Sequence, residues 1–240
     1  MIIGYIGMPG CGKTTIAKIL YSLEHIGKTK VEYPLLNHYK KPYLIRNVIK
    51  VVKVYIYMLK NSSYTKGIRK KIKDTNQKNI FSFTRVFYNY VFFVSVYEKY
   101  KYSPNIIIID EAFLHQLWLI QYRSKYLHDD KHLNCFFDEG MFSDLIINVD
   151  CNHNVLIDRF THHKTNVKME RSDNIKRTIR ASSKEMEKII KYAKAHVKHR
   201  DVEFIEIDNT DFDDFENNII HVITRLKEKL KGYENRYNYY

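Results

Sequence analysis

Acidic side chains are almost missing from one long stretch of this 240-residue sequence. Residues 35–103 carry two, Asp74 and Glu98, against fifteen Lys and Arg. The excess there equals the +13 formal charge of the whole chain, so the rest is balanced. Two readings stand: a solvated lysine-rich face, or a surface that meets an anionic partner such as a phosphorylated substrate, nucleic acid or an acidic membrane. Cysteine is also scarce. Cys11, Cys135 and Cys151 are odd in number and contain no CxxC spacing. That excludes a disulfide framework or zinc ribbon and fits reduced thiols in the cytoplasm. No uninterrupted apolar run is long enough to span a bilayer, because Arg85 and Asn89 break the stretch from Ile80 to Tyr97. No internal repeat is found. What is abundant, 45% hydrophobic and 14% aromatic residues, argues against disorder and supports a buried core.

Five apolar runs read as strands: Ile2–Ile6, Lys30–Pro34, Ile106–Ile109, Leu145–Val149 and Val202–Ile207. Three of them are nearly continuous Ile, Val and Leu, as expected for parallel strands covered on both faces. Helical patterns lie between them, which predicts an α/β, three-layer architecture around a mostly parallel five-stranded sheet. Between the second and third strands, residues 41–103 predict two or three helices, a basic helical insertion. In the first of these, Arg46, Lys50, Lys53 and Lys60, with Tyr57, recur at three- and four-residue steps along one face. The remaining positions are nearly all apolar. Burial of those positions behind a wet basic stripe is the favoured expectation; a helix lying on an acidic surface is the other.

The first turn after the first strand carries the sharpest signal. Gly7-Met8-Pro9-Gly10-Cys11-Gly12-Lys13-Thr14 matches GxxxxGK[ST], and Thr15 follows. Such a loop works through its backbone: glycines let it curl so that several N–H groups converge on phosphate oxygens, and the helix behind it adds its positive end. Lys13 is expected to reach the β- and γ-phosphates and the Thr14 hydroxyl to ligate Mg²⁺. Starting at Gly7, the loop leaves no room for a leader peptide ahead of it. Cys11 within the loop is expected to pack rather than react.

Ile106-Ile107-Ile108-Ile109-Asp110-Glu111 resembles a Walker B element, a buried strand that delivers an acid at its carboxyl end. Ligands of open α/β sheets bind at that edge. Asp110 is expected to share the Mg²⁺ site with Thr14. Glu111 has three equal readings: it polarises a water, orients a substrate, or caps the following helix.

With these motifs in place, the chain resembles the P-loop NTPases, and within them the thymidylate-kinase-like and deoxynucleoside-kinase-like group. Asp144 to Asp150 followed by Asn154 to Arg159 looks like that group's fourth strand and next helix, and Glu206-Ile207-Asp208 like the end of its last strand. The resemblance implies one domain over residues 1–232 with a frayed 233–240 tail, an acceptor-side segment at 35–103, and a mobile lid over 160–175 bearing Lys164, Lys168 and Arg171. It also implies lid cations over the γ-phosphate, with Arg159, Arg171, Arg177 and Arg180 as candidates. The group's catalytic acid, a Glu before Pro after the second strand, has Glu32 in Val31-Glu32-Tyr33-Pro34 as its nearest match. The Asp-Arg pair usual after the third strand is Asp110-Glu111 here, and the lid is poorer in arginine.

The activity so implied is a phosphotransferase using ATP and Mg²⁺ on a small, anionic acceptor of nucleoside or nucleotide type. The competing class is a P-loop ATPase or nucleotide-dependent switch that acts on nucleic acid, an acidic membrane or a protein partner through residues 35–103. A homodimer is left open.

Overall fold

The computed structural model describes residues 1–125, 130–137, 141–163, 172–197, 201–211 and 214–237. Its strands are β1 (Ile2–Ile6), β2 (His25–Ile26), β3 (Thr29–Glu32), β4 (Ile106–Ile109), β5 (Leu145–Asp150) and β6 (Glu203–Asp208). They form one sheet in the order β2-β3-β4-β1-β5-β6. From β3 to β6 every pairing is parallel, so the five expected strands are present. The sixth, β2, pairs antiparallel with β3 across a two-residue turn where Gly27 takes a φ of 62°. Two residues are too short to register as an apolar run, so sequence patterning misses this strand.

β1 lies between β4 and β5, and all residues of β1 and β4 are buried. Burial on both faces explains why these two strands are continuous aliphatic runs. The register sets Gly4 opposite Ile109 and opposite Ile146, which brings the carboxyl ends of β1 and β4 to one edge. The loops after these two strands therefore meet there.

Helices α1 (Lys13–Ser22), α2 (Leu36–Tyr39), α3 (Tyr43–Lys60), α4 (Ser62–Asp74) and α5 (Ile80–Tyr100) precede β4. After it come α6 (Phe113–Arg123), α7 (Asp130–Phe137), α8 (His153–His163), α9 (Ser172–Val197) and α10 (Phe215–Tyr237). The basic insertion thus holds three helices, α3 to α5. Of these α5 is the deep one. Its Val86, Tyr90, Val91, Phe93 and Val94 are buried, and Phe93 meets Phe113 of α6 at a centroid distance of 6.4 Å. Phe113 also packs edge-on against Phe137 and Phe142 at 5.7 and 5.3 Å. Each such ring contributes roughly 1.5–3 kcal/mol through burial. On the far side of α6, the Trp118 indole N–H donates to the Ser182 carbonyl of α9 at 3.2 Å. The last helix runs on through Tyr237, into the segment expected to fray.

α3 overturns one expectation. Apart from Val54, its apolar positions are not buried: Leu44, Val48, Tyr55 and Leu59 are 59–76% exposed. Of the basic side, Arg46 and Lys50 turn inward while Lys53 and Lys60 stay exposed. Val54 is fully buried, the Lys50 ammonium donates to Asn89 Oδ1 of α5, and it lies 5.1 Å above the Phe92 ring. The physical reason is the partner. α3 is the outer helix and packs along α5, which offers ring faces and a side-chain amide that accommodate cations as well as methyl groups.

Candidate active site

The turn from β1 into α1 is held open by glycine geometry. Gly7 has a φ of 143°, and a side chain there would place its Cβ 2.1 Å from the Val149 carbonyl oxygen. Gly12 has a φ of 103°, and its Cβ would lie 2.3 Å from Asn209 Nδ2. Both positions therefore exclude any L side chain on two counts, left-handed backbone and contact. Gly12 is also the N-cap of α1, and no side chain caps that helix. The first-turn amides keep their positive polarity for an external anion.

Within the loop, Lys13 is buried and its ammonium donates to the carbonyls of Gly7 and Met8 at 2.7 and 2.8 Å, with Cys11 Sγ 3.7 Å away. Cys11 is fully buried, and burial pushes its thiol pKa up, an effect that the Lys13 charge only partly offsets. It packs, as the sequence implied. Thr14 and Thr15 stand exposed on the first turn of α1, while Pro9 and Gly10 form the outer bend.

Two residues fasten this loop from the far end of the chain. Asn209, just past β6, donates to the Cys11 carbonyl at 2.7 Å, and its own backbone N–H bonds to the Asp150 carbonyl at 2.8 Å. Arg159 of α8 donates to the Gly10 carbonyl at 3.3 Å and to the Asn209 carbonyl at 3.1 Å. Arg159 thus stands at the loop, as a brace. Asn209 escapes sequence reading because a lone Asn after a strand looks like an ordinary turn residue; its only signal is its place at the carboxyl end of the last strand. Arg171 and residues 164–171 of the expected 160–175 lid lie outside the described residues, and the side chain of Arg177 is not among those described. Arg180 is an exposed residue of α9.

Asp110 follows β4 and is 4% exposed. The phenol of Tyr33 lies beside its carboxylate, and burial, followed by that charge, raises the Tyr33 pKa well above its ordinary value. The buried Tyr5 phenol is raised in the same way, by burial first and Asp110 second. Asp110, just past β4, and the Thr14 hydroxyl, in the first turn of the helix that follows β1, are both hard oxygen donors. Among the described residues no group of three or more His, Cys, Asp or Glu could hold a metal by protein ligands alone. One carboxylate and one hydroxyl is the donor set suited to Mg²⁺ that shares its sphere with phosphates and water.

Glu111 is exposed and does not cap α6, whose N-cap is Ala112 with no side-chain cap bond. It is instead the negative charge nearest Lys50. Burial lowers the Lys50 pKa, Glu111 opposes that shift, and Arg85 and Arg46 add to it. Arg85 likewise acts on Arg123 at the end of α6, whose pKa is lowered first by burial. Arg46, Lys50, Arg85 and Arg123, from α3, α5 and α6, are thus linked by mutual charge effects into a cationic wall, and Glu111 acts on it at Lys50. Sequence spacing links only the first two.

Glu32 is not brought to this edge. The register sets it opposite Ile107, three residues before Asp110, roughly 10 Å along the strand. Its carboxylate accepts from Asn105 Nδ2 at 2.7 Å, beyond the other end of β4. β3 ends at Glu32, two residues before the expected Pro34, and Tyr33, just past its end, stands beside Asp110.

His115, one turn into α6, was not singled out by sequence. Burial, then the Lys13 charge, pushes its pKa down to about 3, and its Nδ1 has no hydrogen-bond partner among the described residues. It is neutral in the folded chain at pH 7. Because the unfolded chain protonates first, stability is full above about pH 6.5 and lost as pH falls toward 3. The expected loss is about 2 kcal/mol at pH 5, given a folded pKa of about 3. Denaturant melts of the intact chain and of His115→Gln at pH 7 and 5 check this; equal pH slopes in the two would refute it.

A cleft of about 630 Å³ opens alongside the loop, between the ends of β5 and β6 and helix α9. Asp150, Glu187, Glu206 and Asp208 line it against Lys191 and Lys194, a balance that disfavours polyphosphate. The uncapped amides belong to the glycine loop, not to this cleft.

No protein-family model and no curated protein matches this sequence. Among solved structures, deoxyadenosine kinase from M. mycoides with products dCMP and a flexible dCDP bound aligns with a TM-score of 0.50 and 16% identity, covering 95% of this chain and 100% of that one. The same kinase with bound dATP gives 0.49 and 17% over 94% and 99% of the two chains, and with bound dCTP 0.48 and 15% over 95% and 100%. At such identity the likeness is one of backbone. The sheet order, the glycine loop after its central strand and this alignment together give the chain the P-loop kinase fold.

Proposed function

We propose that the chain is an ATP- and Mg²⁺-dependent phosphotransferase that moves the γ-phosphate to a small anionic acceptor. One observation carries the reading. The uncapped glycine loop and the buried Asp110 share a sheet edge, and the exposed carboxylate that follows Asp110 acts on Lys50, one of four cations whose charges act on one another. A hydrolase acting on water has no use for such a wall.

In this reading the loop amides and the α1 terminus hold the β- and γ-phosphates, and Lys13 exchanges its two carbonyl partners for charged oxygens, which bind an ammonium about twice as strongly. Thr14 and Asp110 hold Mg²⁺, which when bound neutralises phosphate charge. Glu111 takes the proton of the acceptor hydroxyl while that oxygen bonds to the γ-phosphorus and the bond from phosphorus to the ADP oxygen breaks. Lys50, Arg85, Arg46 and Arg123 hold the acceptor's own anionic group. Arg171, with the 160–175 lid, supplies cations over the transferred group. A nucleoside or nucleotide is the first acceptor class to test, because the structurally similar kinase was captured with dCMP and dCDP.

The test is an acceptor screen with labelled ATP: nucleosides, nucleoside monophosphates and sugar phosphates, run beside RNA and a protein-only control. Label transferred to a phosphorylated acceptor supports the reading. Phosphate release stimulated by RNA, with no labelled small product, supports the switch-type ATPase instead. With an acceptor in hand, Lys50→Ala and Arg85→Ala should each raise its KM about tenfold or more and leave the KM for ATP unchanged. Parallel losses for both substrates would remove the cationic wall from the acceptor site.

A further inference from the structure

α3 presents an apolar surface that nothing among the described residues covers. At 100° per residue, Leu44, Val48, Val51, Val52, Tyr55 and Leu59 fall within an arc of roughly 100°. All are exposed, and the arc is centred roughly opposite the half-buried Arg46 and Lys50. Ile80 and Phe81, which open α5, are 69% and 82% exposed as well. Contiguous exposed patches of this kind mark interaction sites in folded proteins. Eighteen residues of helix carry Arg46, Lys50, Lys53 and Lys60 and no acid, and exposed Lys40 and Lys41 lead into it. Exposed Ile45 and Ile56 continue the apolar surface toward Lys60 and Lys53, which lie roughly 80–100° beyond Val52 around the helix.

Three occupants differ in what they do with this combination. A second copy docked face to face about a two-fold axis would bring two segments of +13 together, each with only two acids, and like charge opposes that contact. Nucleic acid satisfies the cations and leaves the apolar arc in water. An anionic bilayer satisfies both at once: the arc enters the interface and the flanking lysines meet lipid phosphates. The helix is about 27 Å long by its rise, and among the described residues no helix is long and apolar enough to cross a membrane, so it lies along the surface.

We infer that α3 is a membrane-surface anchor, docking the protein on anionic phospholipid through Leu44, Val48, Val51, Val52, Tyr55 and Leu59. The inward edge of the same helix supplies Lys50 to the candidate active site. The inference is independent of the proposed reaction, since it concerns the opposite face of α3.

The intact protein is sedimented with vesicles of mixed phosphatidylglycerol and phosphatidylcholine and with vesicles of phosphatidylcholine alone. Binding to the mixed vesicles about tenfold above the neutral ones, and weakened by salt, is expected. The triple variant L44Q/V48Q/V52Q should lose about tenfold of that binding, with melting temperature and ATP binding unchanged. The double variant K53Q/K60Q should weaken binding to mixed vesicles and erase the preference over neutral ones. Absence of the wild-type chain from the mixed-vesicle pellet overturns the inference. So does a triple variant that binds as well as wild type, or a solution dimer that the triple variant dissociates.

Discussion

Lys13→Ala should lower phosphotransfer by about a thousandfold or more, because a buried ammonium is the largest positive charge inside the loop. The substitution has a second cost. It leaves the Gly7 and Met8 carbonyls without their donor, and an unsatisfied buried acceptor costs about 1–3 kcal/mol. Melting and triphosphate titration calorimetry should therefore accompany the kinetics. A chain that melts a few degrees lower yet still folds, and that gives no heat with ATP, fits the assignment. Unaltered ATP affinity and turnover in a folded Lys13→Ala chain would remove the loop from the mechanism and every later step with it.

Asp110→Asn should cost about a hundred- to a thousandfold in kcat while the fold persists. Asparagine matches the carboxylate in shape, still accepts from a neighbouring phenol, and removes a charge from a site that is 4% exposed. The informative readout is magnesium. If Asp110 holds the ion, half-maximal activity in the variant should move to a higher magnesium concentration, whereas a residue that only supports Tyr33 and Tyr5 would leave that dependence alone. Wild-type kcat and magnesium response in the variant would assign Asp110 to the core.

The features legible in the sequence are those with short-range physics. β1 and β4 announce themselves because strands buried on both faces must be aliphatic throughout, and the glycine loop because its backbone tolerates no other residue at Gly7 and Gly12. What sequence could not supply is register and partner. A one-residue difference in the end of β3 separates Glu32, which faces Asn105, from Tyr33, which faces Asp110. The heptad-like pattern of α3 located the basic face correctly and assigned it to the wrong environment, since periodicity gives the faces of a helix but not which one meets α5. Asn209 reaches the loop, His115 feels Lys13, and Arg85 acts on Lys50 and Arg123, through tertiary proximity that no spacing encodes.

The bond from Asn209 to the Cys11 carbonyl spans 198 positions of the chain. On a ribosome, the glycine turn is therefore made long before the residue that pins it, and β1 waits for β4 and β5 to flank it. At roughly 5–20 residues per second the delay is on the order of ten to forty seconds. The central strand stays bare until β5 is made, and the loop stays unpinned until Asn209 follows β6, so nucleotide capture should be among the last properties the chain acquires as it is synthesised.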